Sequence, residues 1–564
     1  MRARRSPASL NRRVALTLAA LTIFLPAAPT PARAAAQAAD SRIRLNTVGY
    51  LPARGKRASV AARFNEFTVR REPGGAVAFG GRASGPRRNE DTGEDIFVAD
   101  FSALKEPGKY FLDIPGVGRS APFRVGSDVY VEPFHAAFEA MYLWRCGSAV
   151  SLTRGGVTYS HAACHLEDAL LDFVGGPGER RDATGGWHDA GDYNKYVVNA
   201  GVTVGIMLRA WEEFGPRIER IDRNLPRGRG RLPAYLNEIR WETDWLLKMQ
   251  AADGSVYHKV STKDFGPAVM PEEEKTERYF TPWSSAATAD FTAMLAQAAR
   301  AFGPYDRAYS RRLLEASRRA HDFLRAHPAD HRAHLKGFTT GAYQTDDADD
   351  RLWAAAELWE ATGERAYLAD FERRARAFRE KFDVDWGWSN IKNLGMITYL
   401  SSRRAGRDAA LVRELRRALV ETADRIVALR DAHGYARPLG TKYYWGANGG
   451  VANTVVLLQA ARRVSAKAAY TETALDAVHN LFGRNPYGRS FVTGLGREPP
   501  RRPHDRRSLG RAHLQAWPGY LVGGGWPKAT DWADDEDNYR VNEIAINWNA
   551  PLVYALAATL PEAR

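Results

Sequence analysis

The sequence has no run of basic residues interleaved with aromatic ones, although its formal net charge is +14. Its arginines are scattered through every segment, and this pattern excludes a nucleic-acid-binding protein. No long apolar run follows residue 40, so the remainder of the sequence predicts no membrane anchor. Hydrophobic residues make up 45% of the sequence, and aromatic residues make up 11%. That balance excludes a disordered or collagen-like chain and predicts a folded protein with a real core.

The start of the chain is basic and then apolar. Arginines at 12–13 precede an apolar run over 14–25, and small residues with A-x-A spacing follow at 32–36. This pattern predicts a signal peptide over residues 1–36, because the apolar run is too short to span a membrane as a helix. We therefore expect a secreted or periplasmic protein without a membrane-bound part. The paired arginines leave both Sec and twin-arginine export open.

Two kinds of pattern follow one another in the rest of the chain. Residues 40–127 hold short runs of β-forming residues, such as FTVRR and GKYFLDI, between glycine and proline turns. These runs predict a small antiparallel β-sandwich. Residues 130–562 have apolar residues at helical spacing instead. The sequence therefore predicts a β domain followed by an all-α domain.

Twelve helices are predicted in the second part. An even number suits antiparallel hairpins, and twelve helices with long loops can pair into a closed double ring whose loops form a groove at one rim. Periodicity alone does not prove that the ring closes. The predicted helices lie near residues 132–147, 194–214, 231–250, 284–302, 308–327, 348–362, 366–382, 393–403, 408–429, 449–464, 468–483 and 542–560.

Paired carboxylates stand before the second of these helices, in the segment GGWHDAGDYNKYVVNAG at 185–201. Asp189 and Asp192 are three residues apart, close enough to hold one water molecule between them. The alternative is that one of them caps the helix, because Asp is a favoured N-cap residue. The motif by itself leaves both interpretations open.

A second acidic segment precedes the last predicted helix. It places Glu543 at the opening of that helix, behind an acid-rich loop whose charges would raise the pKa of a carboxyl group. The alternative is a first-turn Glu that interacts with the helix dipole. Between the two acidic segments lie NPYGRSFVTGLG at 485–496 and PHDR at 503–506, where His504 and Arg506 are candidates for gripping a ligand rich in hydroxyl groups.

In this order and spacing, these segments resemble the family 9 glycoside hydrolases. IRLNTVGYLP at 43–52 resembles the start of the immunoglobulin-like domain of one branch, and WLLKMQAADGSVYHKV and YYWGANGGVAN resemble signatures of the catalytic domain. The resemblance covers nearly the whole chain. It implies an N-terminal immunoglobulin-like β-sandwich followed by a six-hairpin (α/α)6 barrel that cleaves glycosidic bonds with inversion.

The resemblance also assigns roles to individual residues. It implies that Asp192 is the general base, that Asp189 orients the attacking water, and that Glu543 is the general acid. His504 and Arg506 would bind the sugar beside the scissile bond. Two departures from the family pattern weaken the transfer of substrate: Asp505 replaces the second residue of a paired-His motif, and Asn547-Trp548 replaces a common Asp-Tyr.

Aromatic residues near the predicted loops are candidates for stacking on sugar rings. Each of them is equally a candidate for the core, because large aromatics dominate burial. Among these aromatic residues, Trp445 is the leading candidate for stacking on a sugar ring. The candidates are Trp283, Trp353, Tyr444, Trp445 and Trp526.

The two cysteines have two interpretations. Cys146 and Cys164 would form a disulfide in an exported protein. Alternatively, His165 next to Cys164, and His188 next to Asp189, would complete a closed tetrahedral zinc site with the two thiolates. Such a site also resembles the structural zinc of the branch with the immunoglobulin-like domain. It would anchor the loop that carries the base.

The run TGAYQTDDADDRLWAAAELW at 340–359 resembles a calcium loop of the family. It offers the carbonyl of Gly341 and the carboxylates of Asp346, Asp347, Asp349 and Asp350, which are hard oxygen ligands. The alternative is a solvated acidic loop before a helix. No organic cofactor is expected.

The expected function is hydrolysis of β-1,4-glucan, with cellulose, cellodextrins and mixed-linkage glucan as candidate substrates for a monomeric enzyme. One alternative is an exo-β-glucosaminidase acting on chitosan oligosaccharides, which the acidic segment Asp531 to Asp537 would suit. The other is a non-catalytic polysaccharide-binding protein. Residues 42–125 contain no Trp, so we expect the β domain to serve stability and not carbohydrate capture.

Overall fold

The structure is a computed structural model, and it describes residues 39–221, 231–511 and 515–562. The predicted signal peptide lies outside the described residues. From residue 39 onward the described chain forms one compact unit. None of its helices has the length and apolarity that crossing a membrane requires.

Nine strands build the N-terminal part of the described chain. Their order is β1-β3-β6-β5-β4-β7-β9-β2, with β8 paired to β7. They are β1 (Ile43–Arg44), β2 (Gly49–Tyr50), β3 (Arg57–Val60), β4 (Glu66–Arg71), β5 (Val77–Asn89), β6 (Glu94–Asp100), β7 (Gly108–Ile114), β8 (Gly118–Arg119) and β9 (Phe123–Val125).

The long strand β5 belongs to both layers of this sandwich. Its first half pairs with β4, where Phe67 lies opposite Gly81, and its second half pairs with β6, where Ala83 lies opposite Ala99. Within the pairing with β6 the register shifts between Ser84 and Arg87, an irregularity that increases the local bend of the strand. The inward-facing residues form a separate core that includes Phe67, Val69, Ala99, Tyr110, Leu112 and Phe123.

The rest of the chain is mainly helical. Among the residues that the structure describes, twelve longer helices match the twelve that the sequence predicts, and two short helices were not predicted. The helices are α1 (Val131–Leu143), α2 (Val197–Ile221), α3 (Ala234–Lys248), α4 (Ser285–Phe302), α5 (Arg307–Ala326), α6 (Ala348–Thr362), α7 (Arg365–Ala377), α8 (Lys392–Ser401), α9 (Ala409–Ala432), α10 (Ala447–Val464), α11 (Ala468–Leu481), α12 (Arg506–Gly510), α13 (Tyr539–Asn542) and α14 (Ile546–Ala557).

Six of the helices close into an inner ring. In turn, α2 contacts α4, α4 contacts α6, α6 contacts α8, α8 contacts α10, α10 contacts α14, and α14 contacts α2. The other six long helices lie outside, each against an inner helix. This is the (α/α)6 barrel that the family resemblance implies. The contact between α14 and α2 closes the ring, which helical periodicity in the sequence could not prove.

The two rings differ in sequence because they differ in burial. The inner helix α4 is rich in alanine and is buried on every side. The neighbouring outer helix α5 is highly charged and buries one stripe that includes Leu313, Ala316, Ala320 and Leu324. That spacing is the pattern of a helix with one face on a core.

Short strands lie between the helices and shape the loops. The strands β14, β15 and β16 form part of a five-stranded sheet ahead of α2 and α4. These short strands are β10 (Val150–Arg154), β11 (Val157–His161), β12 (Leu170–Leu171), β13 (Gly176–Arg180), β14 (Lys195–Tyr196), β15 (Lys259–Ser261) and β16 (Tyr279–Phe280).

The β-sandwich packs against the barrel beyond the end of α9. Ser59 Oγ donates to the carbonyl of Gly434 at 2.9 Å, and the Gly434 amide donates to Asn89 Oδ1 at 2.9 Å. His433 Nε2 lies 2.9 Å from Asp91 Oδ2. These groups are buried, so the sandwich supplies hydrogen-bond partners that water cannot reach.

Candidate active site

A cavity of about 720 Å³ lies at one end of the barrel. Its walls are mainly the loops that lead into α2, α6, α8, α10 and α14, and Phe265 comes from the segment between α3 and α4. The ring therefore delivers side chains from distant parts of the sequence to one place. The lining includes Asp189, Asp192, Tyr196, Phe265, Tyr343, Asp385, Trp388, Tyr444, Trp445, Trp526, Glu543, Asn547 and Trp548.

Asp189 is buried, and both of its carboxylate oxygens accept hydrogen bonds. Asn199 Nδ2 donates to Oδ1 at 2.6 Å, and Tyr343 OH donates to Oδ2 at 2.8 Å. Burial and the charge of Asp192 raise the pKa of Asp189 to about 8. The donors are side chains and not the amides of α2, so Asp189 does not cap that helix.

Asp192 is buried beside it but is held differently. Asn194 Nδ2 donates to its Oδ2 at 2.6 Å, and Tyr196 OH donates to the same oxygen at 3.3 Å. No donor in the described chain meets Oδ1, which leaves that oxygen available. Burial raises the pKa of Asp192, and the positive charge of Arg506 opposes this rise.

Glu543 lies between α13 and α14, in extended backbone three residues before Ile546. The prediction of a Glu within the opening turn of the last helix is therefore wrong, because that helix begins later than its apolar pattern indicates. Trp445 Nε1 donates to Glu543 Oε2 at 3.1 Å. Burial raises the pKa of Glu543 well above its usual value, and the charges of Asp192 and Asp189 add to the effect.

His504 and Arg506 hold the backbone around these acids. The His504 amide donates to the carbonyl of Asn542 at 2.9 Å, and its Nδ1 lies 2.6 Å from the Glu536 carbonyl. The Arg506 amide donates to the carbonyl of Gly191 at 3.0 Å. A β-carbon at Gly191 would lie 2.3 Å from the His504 carbonyl oxygen, so only glycine allows this approach.

The aromatic candidates divide into two groups. Trp445, Tyr444 and Trp526 line the cavity, and Trp445 is 47% exposed. Trp283 does not line it, because its ring stacks on His331 with centroids 3.9 Å apart. Trp353 is wholly buried in α6.

Several cavity residues were missed by sequence reasoning. Tyr196 and Tyr343 bond to the two aspartates, and Trp388 and Phe265 line the wall. What marks them in the sequence is their position, because most of the residues that line the cavity lie just before an inner helix. Tyr343 in GAYQ, five residues ahead of α6, was recoverable on that rule.

Comparison with known proteins identifies the family of this chain. Residues 130–556 match the family described as Glycosyl hydrolase family 9, and residues 38–119 match the Cellulase N-terminal ig-like domain. The chain belongs to glycosyl hydrolase family 9. It is thus a glycoside hydrolase, and the predicted family and fold class are confirmed.

Individual family 9 proteins resemble the chain over most of its length. It is 51% identical to Endoglucanase D of Acetivibrio thermocellus over 521 residues, which cover 92% of this chain and 83% of that protein. It is 33% identical to a Cellodextrinase of Butyrivibrio fibrisolvens, over 92% of this chain and 100% of the relative. The solved structure of a Zn-binding triple mutant of GH family 9 endoglucanase J30 has a TM-score of 0.85 and 34% identity, and the match covers 91% of this chain and 100% of that one.

The two departures from the family 9 pattern have local explanations. Asp505 caps α12 by accepting from the Arg507 amide at 3.2 Å, and it also binds the Arg507 guanidinium. Trp548 lines the cavity and lies against Gly446, where a β-carbon would fall 2.3 Å from the indole ring. The glycine in YYWGANGG thus makes room for this tryptophan.

A buried cluster of cysteine and histidine lies behind the aspartate loop. Cys146 and Cys164 are both free, so the disulfide alternative is not what the structure contains. The ligand atoms of Cys146, Cys164, His165 and His188 all lie within 4.8 Å of one another. Within the described ranges, this is the one group of three or more His, Cys, Asp and Glu side chains close enough to share an ion.

The distances in this cluster fit a tetrahedral zinc ion. Cys146 Sγ lies 3.6 Å from His165 Nδ1, and Cys164 Sγ lies 3.6 Å from His188 Nε2. Zinc bonds of about 2.3 Å to sulfur and about 2.1 Å to nitrogen, at tetrahedral angles, give a separation of about 3.6 Å. Burial lowers the pKa of His188 to about 3, which leaves the neutral imidazole that a metal requires.

The predicted calcium ligands are not gathered in the same way. The Gly341 carbonyl accepts from Lys259 Nζ at 3.0 Å, and the exposed Asp346 pairs with Arg332 at 2.5 Å. Each oxygen is thus already occupied by a cationic side chain. The structure therefore pairs these two predicted ligands with cationic side chains.

The other two predicted calcium ligands lie in α6. Asp349 Oδ2 accepts from the Ile391 amide at 2.5 Å. Asp350 is wholly buried beside Asp290 and away from solvent. Gly341, Asp346 and Asp349 therefore each serve a separate local contact, whereas neither oxygen of Asp350 has a hydrogen-bond partner in the described chain. The structure does not show the predicted calcium site of Gly341, Asp346, Asp349 and Asp350.

Proposed function

We propose that the chain is an exported endo-β-1,4-glucanase that hydrolyses its substrate with inversion at the anomeric carbon. The observation that carries the proposal is the meeting of Asp189, Asp192 and Glu543 in one aromatic-lined cavity of a family 9 barrel. The similarity to Endoglucanase D supports a glucan as substrate and internal bonds as the point of cleavage. The basic and apolar start of the sequence supports export.

The general base in this proposal is Asp192. Arg506 lowers the cost of ionising Asp192, and Oδ1 of Asp192 has no donor in the described chain. Both oxygens of Asp189 already accept hydrogen bonds, so Asp189 is better suited to holding the water than to taking its proton. Asp192 Oδ1 accepts the proton of the water whose oxygen attacks the anomeric carbon.

The general acid in this proposal is Glu543. Its raised pKa favours the protonated carboxyl group, which is the form that an acid catalyst needs. As the water oxygen bonds to the anomeric carbon, the bond to the leaving oxygen breaks and that oxygen takes the proton of Glu543. Attack and departure on opposite faces of the ring invert the configuration.

The aromatic walls supply the binding of the sugar rings. Trp445 lies next to the acid and is half exposed, so its face is open to a pyranose ring. Tyr444 and Trp526 line the same cavity. Stacking on these faces would place the scissile bond between Asp192 and Glu543.

We also propose that Cys146, Cys164, His165 and His188 hold a structural zinc ion. Bound there, zinc would cross-link the chain next to Asp189 and take no part in the bond cleavage. The separations of the ligand atoms support this proposal.

The alternatives have less support. The acidic residues over 531–537 would suit chitosan as a substrate, but they do not line the cavity. Asp534 accepts from the amides of Arg501 and Arg502, and Glu536 pairs with the Arg502 guanidinium. A merely binding protein would not need three carboxylates with raised pKa values in one cavity.

The decisive experiment measures new reducing ends on carboxymethyl cellulose, cellodextrins, mixed-linkage glucan and chitosan oligomers. We expect release from the glucans, with a rapid fall in viscosity that marks internal cleavage. Asp192→Asn and Glu543→Gln, each folded by circular dichroism, serve as controls and should be inactive on these substrates. Release from chitosan alone, or from chain ends without loss of viscosity, would contradict the proposal.

A further inference from the structure

Glu274 is a buried carboxylate that no step above uses. It lies on the loop between β15 and β16 and is 6% exposed. Its two oxygens face two different groups. Oε2 lies 3.1 Å from His165 Nε2, and Oε1 lies 3.7 Å from Arg506 Nη1.

The contact with His165 concerns the metal cluster. His165 faces Cys146 through Nδ1, so its proton is on Nε2, where it donates to Glu274. A carboxylate in this place fixes the tautomer and orientation of a metal-binding imidazole and makes it a stronger ligand. His188 has no such partner on Nδ1 in the described chain. Glu274 is therefore the one acid seen to support a histidine of the cluster.

The contact with Arg506 concerns the catalytic site. The Arg506 guanidinium lies between the rings of Tyr193 and Phe265, with centroid distances of 5.9 and 5.7 Å. Within the described residues, Oε1 of Glu274 makes no hydrogen bond. Its charge therefore attracts the Arg506 guanidinium across 3.7 Å.

The position of Glu274 is tightly defined. A β-carbon at Gly266 would lie 2.0 Å from Oε1, so the loop next to Phe265 closes directly over the carboxylate. The Glu274 amide also donates to the Met270 carbonyl at 3.3 Å. The carboxylate cannot move toward one of its partners without moving away from the other.

We propose that Glu274 is a positioning residue that couples the metal cluster to Arg506. With the metal bound, His165 holds one oxygen of Glu274 and the other oxygen sets the direction of the Arg506 guanidinium. Without the metal, His165 is released, and Arg506, which the family resemblance implies is a sugar-binding residue, loses its orientation. The catalytic half of this inference rests on the proposed function.

The first test needs no substrate. Zinc-loaded wild type, Glu274→Gln and Glu274→Asp are mixed with excess chelator, and zinc release is followed with a metal-sensitive dye. We expect zinc affinity to fall about 10- to 100-fold in Glu274→Gln, as for other acids behind a metal-binding histidine. Glu277→Gln is the matched control, because Glu277 pairs with Arg180 at the surface of the same loop. Equal zinc retention in wild type and Glu274→Gln would overturn the proposal.

The second test measures the coupling. KM for cellopentaose is determined with and without zinc in each variant. Removing zinc should raise KM several-fold in wild type and in Glu277→Gln. In Glu274→Gln and Glu274→Asp, KM should already be raised and should no longer respond to zinc.

The outcomes separate this inference from the proposed function. A wild type that holds zinc but cleaves no glucan would contradict the proposed function and leave the zinc release test valid. A wild type that cleaves glucan with a KM independent of zinc would overturn the coupling. Should Glu274→Gln fail to fold, Glu274→Asp keeps the charge but is too short to reach both partners, and its KM must still lose the response to zinc.

Discussion

The hydrogen bond from Trp445 to Glu543 allows a quantitative prediction about pH. The indole N–H lies 3.1 Å from Glu543 Oε2 and stabilises the ionised carboxylate. A hydrogen bond to a charged group contributes about 1.5 to 3 kcal/mol, and exposure to water at this half-exposed tryptophan reduces that to about 1 kcal/mol. Since one pKa unit corresponds to about 1.4 kcal/mol, Trp445→Phe should raise the pKa of Glu543 by about 0.7.

The sign of the effect on activity follows from the role of the acid. Glu543 must be protonated, so activity is lost as the pH rises through its pKa. A higher pKa in Trp445→Phe should move the alkaline limb of kcat/KM upward by about 0.7 pH units, while the acidic limb, set by the base, stays in place. KM should also rise, because phenylalanine offers a smaller stacking face.

The assay is kcat/KM for cellopentaose at closely spaced pH values. Trp526→Phe is the matched control, since Trp526 lines the same cavity and makes no recorded bond to Glu543. It should raise KM and leave both limbs unchanged. An alkaline limb that stays in place or moves downward in Trp445→Phe would refute the reasoning about the acid.

Four further predictions concern the acid, the water, the metal and the β domain. Glu543→Gln should abolish cleavage of cellopentaose but keep more activity on an aryl glycoside with a good leaving group, measured by release of the phenol. Tyr343→Phe removes the donor to Asp189 and should lower kcat about 10-fold with little change in melting temperature. Purified protein should contain about one zinc per chain by elemental analysis, and Cys164→Ser should lower both melting temperature and kcat. Deleting residues 40–127 should cause aggregation, and that segment alone should not bind cellulose in a pull-down assay.

The sequence predicted the helices well because each long helix carries its own apolar pattern. The pattern of α5, with Leu313, Ala316 and Leu324 on one face, is sufficient to place it. It cannot reveal that α14 packs against α2, since that contact joins the last helix of the inner ring to the first. Closure of the ring is a property of the whole fold.

The site was predicted only in part, because the sequence shows local segments and not the contacts between distant ones. Asp189, Asp192 and Glu543 stand in recognisable segments, and the structure brings them to one cavity. The donors Asn199 and Tyr343 were missed because only the folded chain brings them to Asp189. The calcium site stays a prediction, because spacing shows which oxygens are near in sequence and not which cationic side chains lie beside them in the fold.

The central claim is that Asp192 and Glu543 act from opposite faces of the sugar, and the configuration of the first product tests it most directly. Cellopentaose is cleaved inside the NMR tube, and the anomeric proton of the new reducing end is recorded before mutarotation becomes significant. The account predicts that the α-anomer appears first and then equilibrates with the β-anomer. A β-anomer that appears first would mean retention and would contradict the assignment of Asp192 as a base acting on water.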